Sequence, residues 1–204
     1  GWSALRQVIE AIRAESVRLG SLIPVILDAK RGDIASTAEA YAKSAFESLG
    51  AHCITLNPYL GKDSIDPFIQ NSEKGVFLLC KTSNKGSGDL QDTMLATGEF
   101  LYIHVAKLAR SWNTKNNIGL VVGATHLEAM VNIRAAAPDL WFLAPGVGAQ
   151  GGELESALKA GLRKDGKGML INVSRGISRA EKPGRAAAEF RDEILRIKRE
   201  LNQR

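Results

Sequence analysis

The sequence predicts a single α/β domain, a TIM (β/α)8 barrel with about two N-terminal strands absent from the chain. Short apolar runs rich in Val, Ile and Leu alternate with longer amphipathic segments, as expected of buried parallel strands joined by helices. Polar residues follow most of these runs, and a site built from many strand ends is typical of a barrel. The competing architecture is a doubly wound open sheet.

Six apolar runs have the composition of buried strands, and a segment with helical spacing follows each of them. The predicted strands cover residues 23–27, 53–56, 76–80, 118–122, 141–143 and 169–173. The predicted helices cover residues 35–49, 63–71, 98–112, 127–137, 153–160 and 183–201. A doubly wound sheet usually carries its glycine-rich loop after the first strand, whereas the clearest such loop here follows the fifth run.

Residues 3–20 have the spacing of a helix whose preceding strand is not in the sequence. Its apolar side chains are expected on one face, at Leu5, Val8, Ile9, Ile12 and Val17. Six strand–helix units do not close a barrel of eight, and an open barrel would expose two long sheet edges. We therefore expect about two strands and one helix upstream of Gly1, and a single barrel domain over residues 1–204 that is incomplete at its N-terminus.

The composition is that of an ordinary globular protein with a small positive excess. Hydrophobic residues make up 45% of the chain, and the net charge of +5 favours an anionic partner. The basic residues are scattered, and no aromatic residues interleave with them. A phosphorylated small molecule is therefore favoured over nucleic acid.

The two cysteines, Cys53 and Cys80, are far apart and lie in apolar runs, which indicates neither a metal site nor a disulfide framework. This pattern of cysteines predicts that the protein resides in a reducing compartment. No apolar run approaches the roughly 18 residues that a membrane-spanning helix needs. We therefore expect no membrane partner and a cytoplasmic location, unless a segment upstream of Gly1 directs the protein to an organelle.

A cluster of charges directly follows the first predicted strand, at Asp28, Lys30, Arg31 and Asp33. Strand alternation places the side chains of Asp28 and Lys30 on the same face. A carboxylate beside an ammonium group keeps the lysine protonated and oriented. Charges at the C-terminal end of a parallel strand are typical of barrel active sites, so we predict a functional role. The alternative is a surface salt bridge.

Two later segments predict an anion site. Four glycines within residues 146–152 allow backbone N–H groups to approach an anion closely, and the following helix adds a favourable dipole. The next strand ends near Arg175, which can bind a phosphate through two hydrogen bonds. With two strands upstream, these become the loops after strands seven and eight, where barrels commonly bind phosphate. A flexible turn is the alternative for the glycine-rich loop.

Residues 81–84 end the third predicted strand with hydroxyl and amide groups that can bind a polar ring, although the same residues are also typical of a turn. The three histidines, His52, His104 and His126, share no metal-ligand spacing. We interpret all three as structural.

With these motifs assembled, the sequence resembles the orotidine 5′-monophosphate decarboxylases, in the branch that carries Asp-Ala-Lys-Arg-Gly-Asp-Ile at residues 28–34. The match runs through nearly all of residues 21–180. Its other motifs lie at residues 56–59, 81–84, 122–125, 145–152 and 172–177. The resemblance implies decarboxylation of orotidine 5′-monophosphate to uridine 5′-monophosphate, the last step of de novo pyrimidine synthesis, by a carboxy-lyase without cofactor or metal.

The resemblance also implies the roles of the first group of residues. Lys30 would deliver a proton to C6 of the pyrimidine as carbon dioxide leaves. Asp28 would lie near the departing carboxylate and hold Lys30. Asp33 and Thr37 would reach the active site of the neighbouring subunit in a homodimer with shared sites, where Thr37 contacts the ribose.

The second group would hold the nucleotide. Ser83 would hydrogen-bond the pyrimidine, Gln150 and Arg175 would grip the phosphate, and Pro145 would line the apolar side of the pocket. The resemblance further allows a fused or associated orotate phosphoribosyltransferase, as in a bifunctional UMP synthase. Nothing in the sequence itself indicates that partner.

The sequence departs from the family in one respect. The family carries an Asp on its first strand and a Lys on its second, and neither is present here, so we do not expect the chain as given to be active alone. One alternative function is a magnesium-dependent sugar-phosphate decarboxylase of the same barrel group. The others are a non-catalytic phosphate-binding module and a basic nucleic-acid binder.

Overall fold

A computed structural model describes residues 1–147 and 151–202 of the chain. It divides the chain into two units: Gly1–Leu79 with Trp112–Ile118, and Cys80–Ser111 with Gly119–Arg204. The strands of the described part are β1 (Ile26–Arg31), β2 (Cys53–Leu56), β3 (Gly75–Lys81), β4 (Ile118–Val122), β5 (Trp141–Pro145) and β6 (Met169–Asn172).

The helices of the described part alternate with these strands. They are α1 (Trp2–Leu19), α2 (Ala35–Lys43), α3 (Asp66–Ile69), α4 (Gly88–Gln91), α5 (Leu101–Trp112), α6 (Leu127–Ala136), α7 (Gly151–Gly161), α8 (Arg175–Ser178) and α9 (Pro183–Asn202). A π-helical turn over Ser44–Ser48 extends α2. None of the helices described here is long and apolar enough to cross a membrane.

In the first unit, β1 pairs with β2 and β2 with β3, all parallel. β1 lies later in the chain than the predicted residues 23–27. The backbone N–H groups before it bond to side chains instead of a neighbouring strand. That of Ile23 donates to Ser16 Oγ, and that of Val25 donates to His52 Nδ1. Because β1 continues to Arg31, Asp28 and Lys30 lie within the strand, not after it.

The core of the first unit joins α1 to the strands. Ile9 of α1 is buried with Val25, Leu49 and Ala51, and Leu5, Ile12 and Leu27 pack against this cluster. The predicted apolar face of α1 is therefore correct for Leu5, Ile9 and Ile12 and wrong for the other two side chains. Val8 and Val17 are 57% and 82% exposed, because neither packs into this cluster.

In the second unit, β4 pairs with β5 and β5 with β6, again parallel. A separate core forms around α7, where Leu154, Ala157 and Leu158 are buried together with Ile197 of α9. Because β5 and β6 run side by side, the segments that follow them start at one edge of this unit. That edge carries Pro145 and Arg175, two of the predicted site residues.

Candidate functional site

Two of the predicted catalytic residues meet at the end of β1. Lys30 Nζ donates a hydrogen bond to Asp28 Oδ1 over 2.7 Å. Thr55 of β2 donates its hydroxyl proton to the same oxygen over 2.8 Å, and its Oγ1 accepts from the Lys30 backbone N–H over 2.9 Å. Thr55 is fully buried, whereas the side chains of Lys30 and Asp28 are 51% and 57% exposed. The charged groups of the pair are therefore exposed to solvent, whereas the threonine that holds them is buried.

The backbone at this point is irregular. Leu27 pairs with Ile54 and Arg31 with Leu56, so three residues of β1 lie opposite Thr55 alone. Lys30 takes a φ of 47°, in the left-handed region that costs an L-residue about 1–2 kcal/mol. The pairing of Lys30 with Asp28 was predicted from regular strand alternation, but a bulge produces it. Strained residues of this kind are typical of functional sites.

Arg31 and Gly32 lead the chain from the pair toward α2. The Arg31 guanidinium lies 4.8 Å from the centre of the Tyr41 ring, a cation–π contact that turns this charge toward α2. The Arg31 carbonyl accepts from Asn57 N over 2.7 Å. A Cβ at Gly32 would lie only 3.2 Å from the Asn57 carbonyl oxygen, so a glycine suits this close approach.

Asp33 and Thr37 lie at the start of α2. Asp33 Oδ1 accepts from the Ile34 backbone N–H over 2.9 Å, and Thr37 is exposed in the first turn. This bond orients the Asp33 carboxylate at the helix start. The structure therefore leaves Thr37 exposed and Asp33 half-buried, and their predicted reach into a neighbouring subunit stays a prediction.

The predicted pyrimidine contact, Ser83, lies after β3 in the second unit. It is exposed and packs against two glycines. A Cβ at Gly123 would lie 3.0 Å from Ser83 Cβ, and one at Gly146, whose φ is 93°, would lie 3.4 Å from it. Side chains at these two positions would crowd Ser83, so the glycines keep open the space around its hydroxyl.

A polar network holds the loop that carries Ser83. Lys81, whose side chain is 3% exposed, donates to Asp92 Oδ1 and Oδ2 over 2.7 and 2.8 Å. Thr82 N donates to Gln91 Oε1, and Gln91 Nε2 donates to Thr82 Oγ1, both over 2.9 Å. The motif at residues 81–84 is visible in the sequence, but nothing in the sequence indicates Asp92 or Gln91, because their partners are set by the fold of the loop.

The predicted phosphate and pocket residues follow β5 and β6. Pro145 ends β5, pairs with Asn172 of β6, and accepts from Ala124 N over 2.9 Å through its carbonyl. Arg175 is exposed as the first residue of α8. Gln150 lies outside the described residues. The structure thus places Pro145 at the end of β5 and Arg175 shortly after the neighbouring β6.

Two of the histidines make contacts that fit their structural interpretation. His52 Nδ1 accepts from the Val25 backbone N–H, and burial together with Lys74 and Arg13 lowers the pKa of His52 below its ordinary value. His104 bonds to Glu99. Over residues 1–147 and 151–202, no cluster of three or more His, Cys, Asp or Glu side chains has the arrangement of a metal site.

Comparisons with known proteins identify the family of this chain. A family model for orotidine 5′-phosphate decarboxylase / HUMPS matches residues 3–190. The chain belongs to this family. An orotidine 5′-phosphate decarboxylase of Roseiflexus castenholzii is 50% identical over 203 residues, which is 99% of this chain and 72% of the relative.

Solved structures agree. A Leishmania donovani OMP decarboxylase is 54% identical with a TM-score of 0.88, over 97% of this chain and 74% of its own. A Leishmania donovani UMP synthase is 55% identical with a TM-score of 0.89, over 97% of this chain and 43% of its own. The predicted resemblance and the predicted fold class, an α/β barrel of which the described residues carry six strands, are confirmed. These relatives do not support the alternative functions.

Proposed function

We propose that this chain carries the orotidine 5′-monophosphate decarboxylase activity of its family and forms uridine 5′-monophosphate and carbon dioxide. The observation that carries the proposal is the Lys30 ammonium, held 2.7 Å from Asp28 at the end of a barrel strand. An exposed ion pair of this kind adds little to stability. The strained backbone that supports it is better explained by chemistry at this position.

In the proposed reaction, the bond between C6 of the pyrimidine and its carboxylate breaks, and the electron pair stays on C6. The Lys30 ammonium lies beside the developing negative charge and stabilises it. The same group then delivers a proton to C6 and completes the product. Asp28 orients Lys30 through the hydrogen bond between them, and the charge of Asp28 disfavours the substrate carboxylate before that group leaves as carbon dioxide.

The remaining residues would bind parts of the nucleotide that do not react. Ser83 would donate to the pyrimidine, Pro145 would line the apolar side, and Arg175 with Gln150 would bind the phosphate. Charge-assisted bonds to a phosphate are strong and lie far from C6. Their binding energy is therefore available for closing the site and for distorting the reacting carboxylate.

The proposal extends to the assembly. We place Asp33 and Thr37 in the active site of a second copy, so that a homodimer shares its two sites. The position of both residues at the start of α2, with Thr37 exposed and Asp33 half-buried, supports this arrangement. The similarity to a Leishmania donovani UMP synthase supports a fused or associated orotate phosphoribosyltransferase as a second proposed partner. We propose a cytoplasmic location, which the two free cysteines support.

The test is the loss of orotidine 5′-monophosphate absorbance in the presence of the full-length protein, since this chain spans 72% of its Roseiflexus relative. Turnover is expected, and it should persist after dialysis against EDTA because the proposed chemistry needs no metal. Absence of turnover with active-site binding intact would contradict the proposal. Activity that disappears with EDTA and returns with magnesium would instead favour the sugar-phosphate alternative.

A further inference from the structure

We infer that Thr55 is a positioning residue for this reaction, because its one hydroxyl fixes both the Lys30 backbone and the Asp28 carboxylate. The inference rests on the proposed function of Lys30 and Asp28. The Thr55 Oγ1 atom accepts from Lys30 N over 2.9 Å and donates to Asp28 Oδ1 over 2.8 Å. Both partners of this hydroxyl are therefore residues of the proposed catalytic pair.

Packing alone does not account for a threonine at this position. Thr55 is 0% accessible to solvent and lies between the buried Ile54 and Leu56. A valine has nearly the same shape and carries no hydroxyl to remove from water. A buried hydroxyl is unfavourable unless it is hydrogen-bonded, so the two bonds to Lys30 and Asp28 are what make it tolerable.

The Thr55 hydroxyl also gives the Lys30 backbone N–H a hydrogen-bond acceptor where the sheet ladder is interrupted. Three residues of β1 lie opposite Thr55, between the pairs Leu27–Ile54 and Arg31–Leu56, so the ladder is interrupted there. The Lys30 N–H takes the Thr55 oxygen as its acceptor, which fixes a backbone with φ of 47°. Because this backbone sets the direction in which the Lys30 side chain leaves the strand, Thr55 controls where the ammonium lies.

The second bond acts on the carboxylate. Thr55 and the Lys30 ammonium both donate to Oδ1 of Asp28, so the two bonds hold one oxygen of the carboxylate from two directions. Rotation of Asp28 would break both bonds together. The loss of the hydroxyl should therefore loosen the whole pair without removing a charge, and a displacement of about 1 Å at a catalytic group can cost about 10²-fold in rate.

The experiment compares Thr55→Val with Thr55→Ser in the full-length protein. We expect Thr55→Val to lower kcat by about 10- to 100-fold while the affinity for uridine 5′-monophosphate changes less than about threefold. Thr55→Ser retains the hydroxyl and should keep kcat within about threefold of the unmodified protein. The matched control is Ser64→Ala, which removes another buried hydroxyl of the same unit, one that donates to the Gly61 carbonyl. This control should leave kcat unchanged.

Several results would overturn the inference. One is a Thr55→Val protein with unchanged kcat, and another is a Thr55→Ser protein as impaired as Thr55→Val. If Thr55→Val does not fold, Thr55→Ala can be compared with Thr55→Ser, since these two variants differ only in the hydroxyl. Equal kcat values for the two would reject the positioning role of Thr55. An unmodified full-length protein that binds the nucleotide and does not turn over orotidine 5′-monophosphate would instead reject the proposed function itself.

Discussion

Lys30 and Asp28 form an ion pair of 2.7 Å between two residues of one strand, with a third residue between them. In a regular strand, side chains two residues apart lie on the same face and point in parallel directions, so they do not converge. Here the left-handed backbone of Lys30 brings its ammonium back onto the carboxylate. The pair is thus a product of local strain at a parallel strand end, and the predictions below follow from it and from the residues around it.

Arg175→Ala should weaken binding of a phosphorylated nucleotide much more than binding of its nucleoside. Arg175 is exposed at the start of α8, and the bonds that it would make to a phosphate are charge-assisted, each contributing about 1.5–3 kcal/mol. Calorimetric affinities for uridine 5′-monophosphate and uridine give the comparison. Equal losses for the two ligands would remove Arg175 from the phosphate site.

Two inactive variants should restore activity when their subunits are mixed. Lys30→Ala and Asp33→Ala each disable a different contribution to a shared site. In a mixed dimer one site carries both changes and the other carries neither. Random pairing at equal amounts makes about half the dimers mixed, so about a quarter of all sites become intact. The measurement is turnover after exchange of subunits in the full-length protein.

The control for this experiment is independent proof of exchange, for example by recovering differently tagged chains together. With exchange shown, activity should rise from near zero to roughly a quarter of the unmodified level. If Asp33 acts within its own chain, every site keeps one change. Mixing would then restore nothing, which would disprove the shared site.

Asp92→Ala should destabilise the protein more than Lys81→Met does. The Lys81 ammonium is buried, whereas the Asp92 carboxylate is 46% exposed. Loss of Asp92 leaves the buried Lys81 ammonium without its carboxylate partner, which should cost about 1–3 kcal/mol of stability. The cost is not larger because solvent reaches the position that Asp92 vacates. Loss of Lys81 leaves only a carboxylate that water can hydrate. Urea unfolding of the full-length variants measures the difference, and the reverse order would contradict the account.

His52 should make stability fall as the pH falls from neutrality. Its folded-state pKa is lowered from the ordinary 6.5, chiefly by burial, and the neutral ring accepts from Val25 N. Below about pH 6.5 the unfolded chain therefore binds more protons than the folded one, and the free energy of unfolding declines until the folded-state pKa is passed. His52→Asn keeps an acceptor but does not titrate. It should show a smaller decline between about pH 7.5 and 5.5; identical slopes would exclude His52 as the cause.

The sequence predicts the regular elements well where burial alone decides them. β2 and β4 occupy the predicted residues 53–56 and 118–122, since both are continuous apolar runs. β1 does not, because it begins at Ile26 and continues past the apolar run through Asp28 and Lys30. Helix α2 ends earlier than the predicted residue 49, since a π-helical turn over Ser44–Ser48 takes its last part.

The candidate site likewise contains residues that could be predicted from the sequence and residues that could not. Asp28 and Lys30 could be predicted because charges at a strand end are conspicuous. Thr55 could not, since a threonine within an apolar run is an ordinary strand residue until its hydroxyl is seen to bond both of them. Asp92 was missed for a similar reason: its partner, Lys81, becomes buried only when the intervening loop folds.

The most direct test of the central claim is the turnover of orotidine 5′-monophosphate by the full-length protein carrying Lys30→Ala. The variant loses a positioned proton donor, which contributes about 10²–10⁴ in rate, together with the cation that stabilises the developing charge. We expect less than about a thousandth of the unmodified rate with uridine 5′-monophosphate still bound. A variant that keeps more than about a thousandth of the rate would show that Lys30 is not the acid.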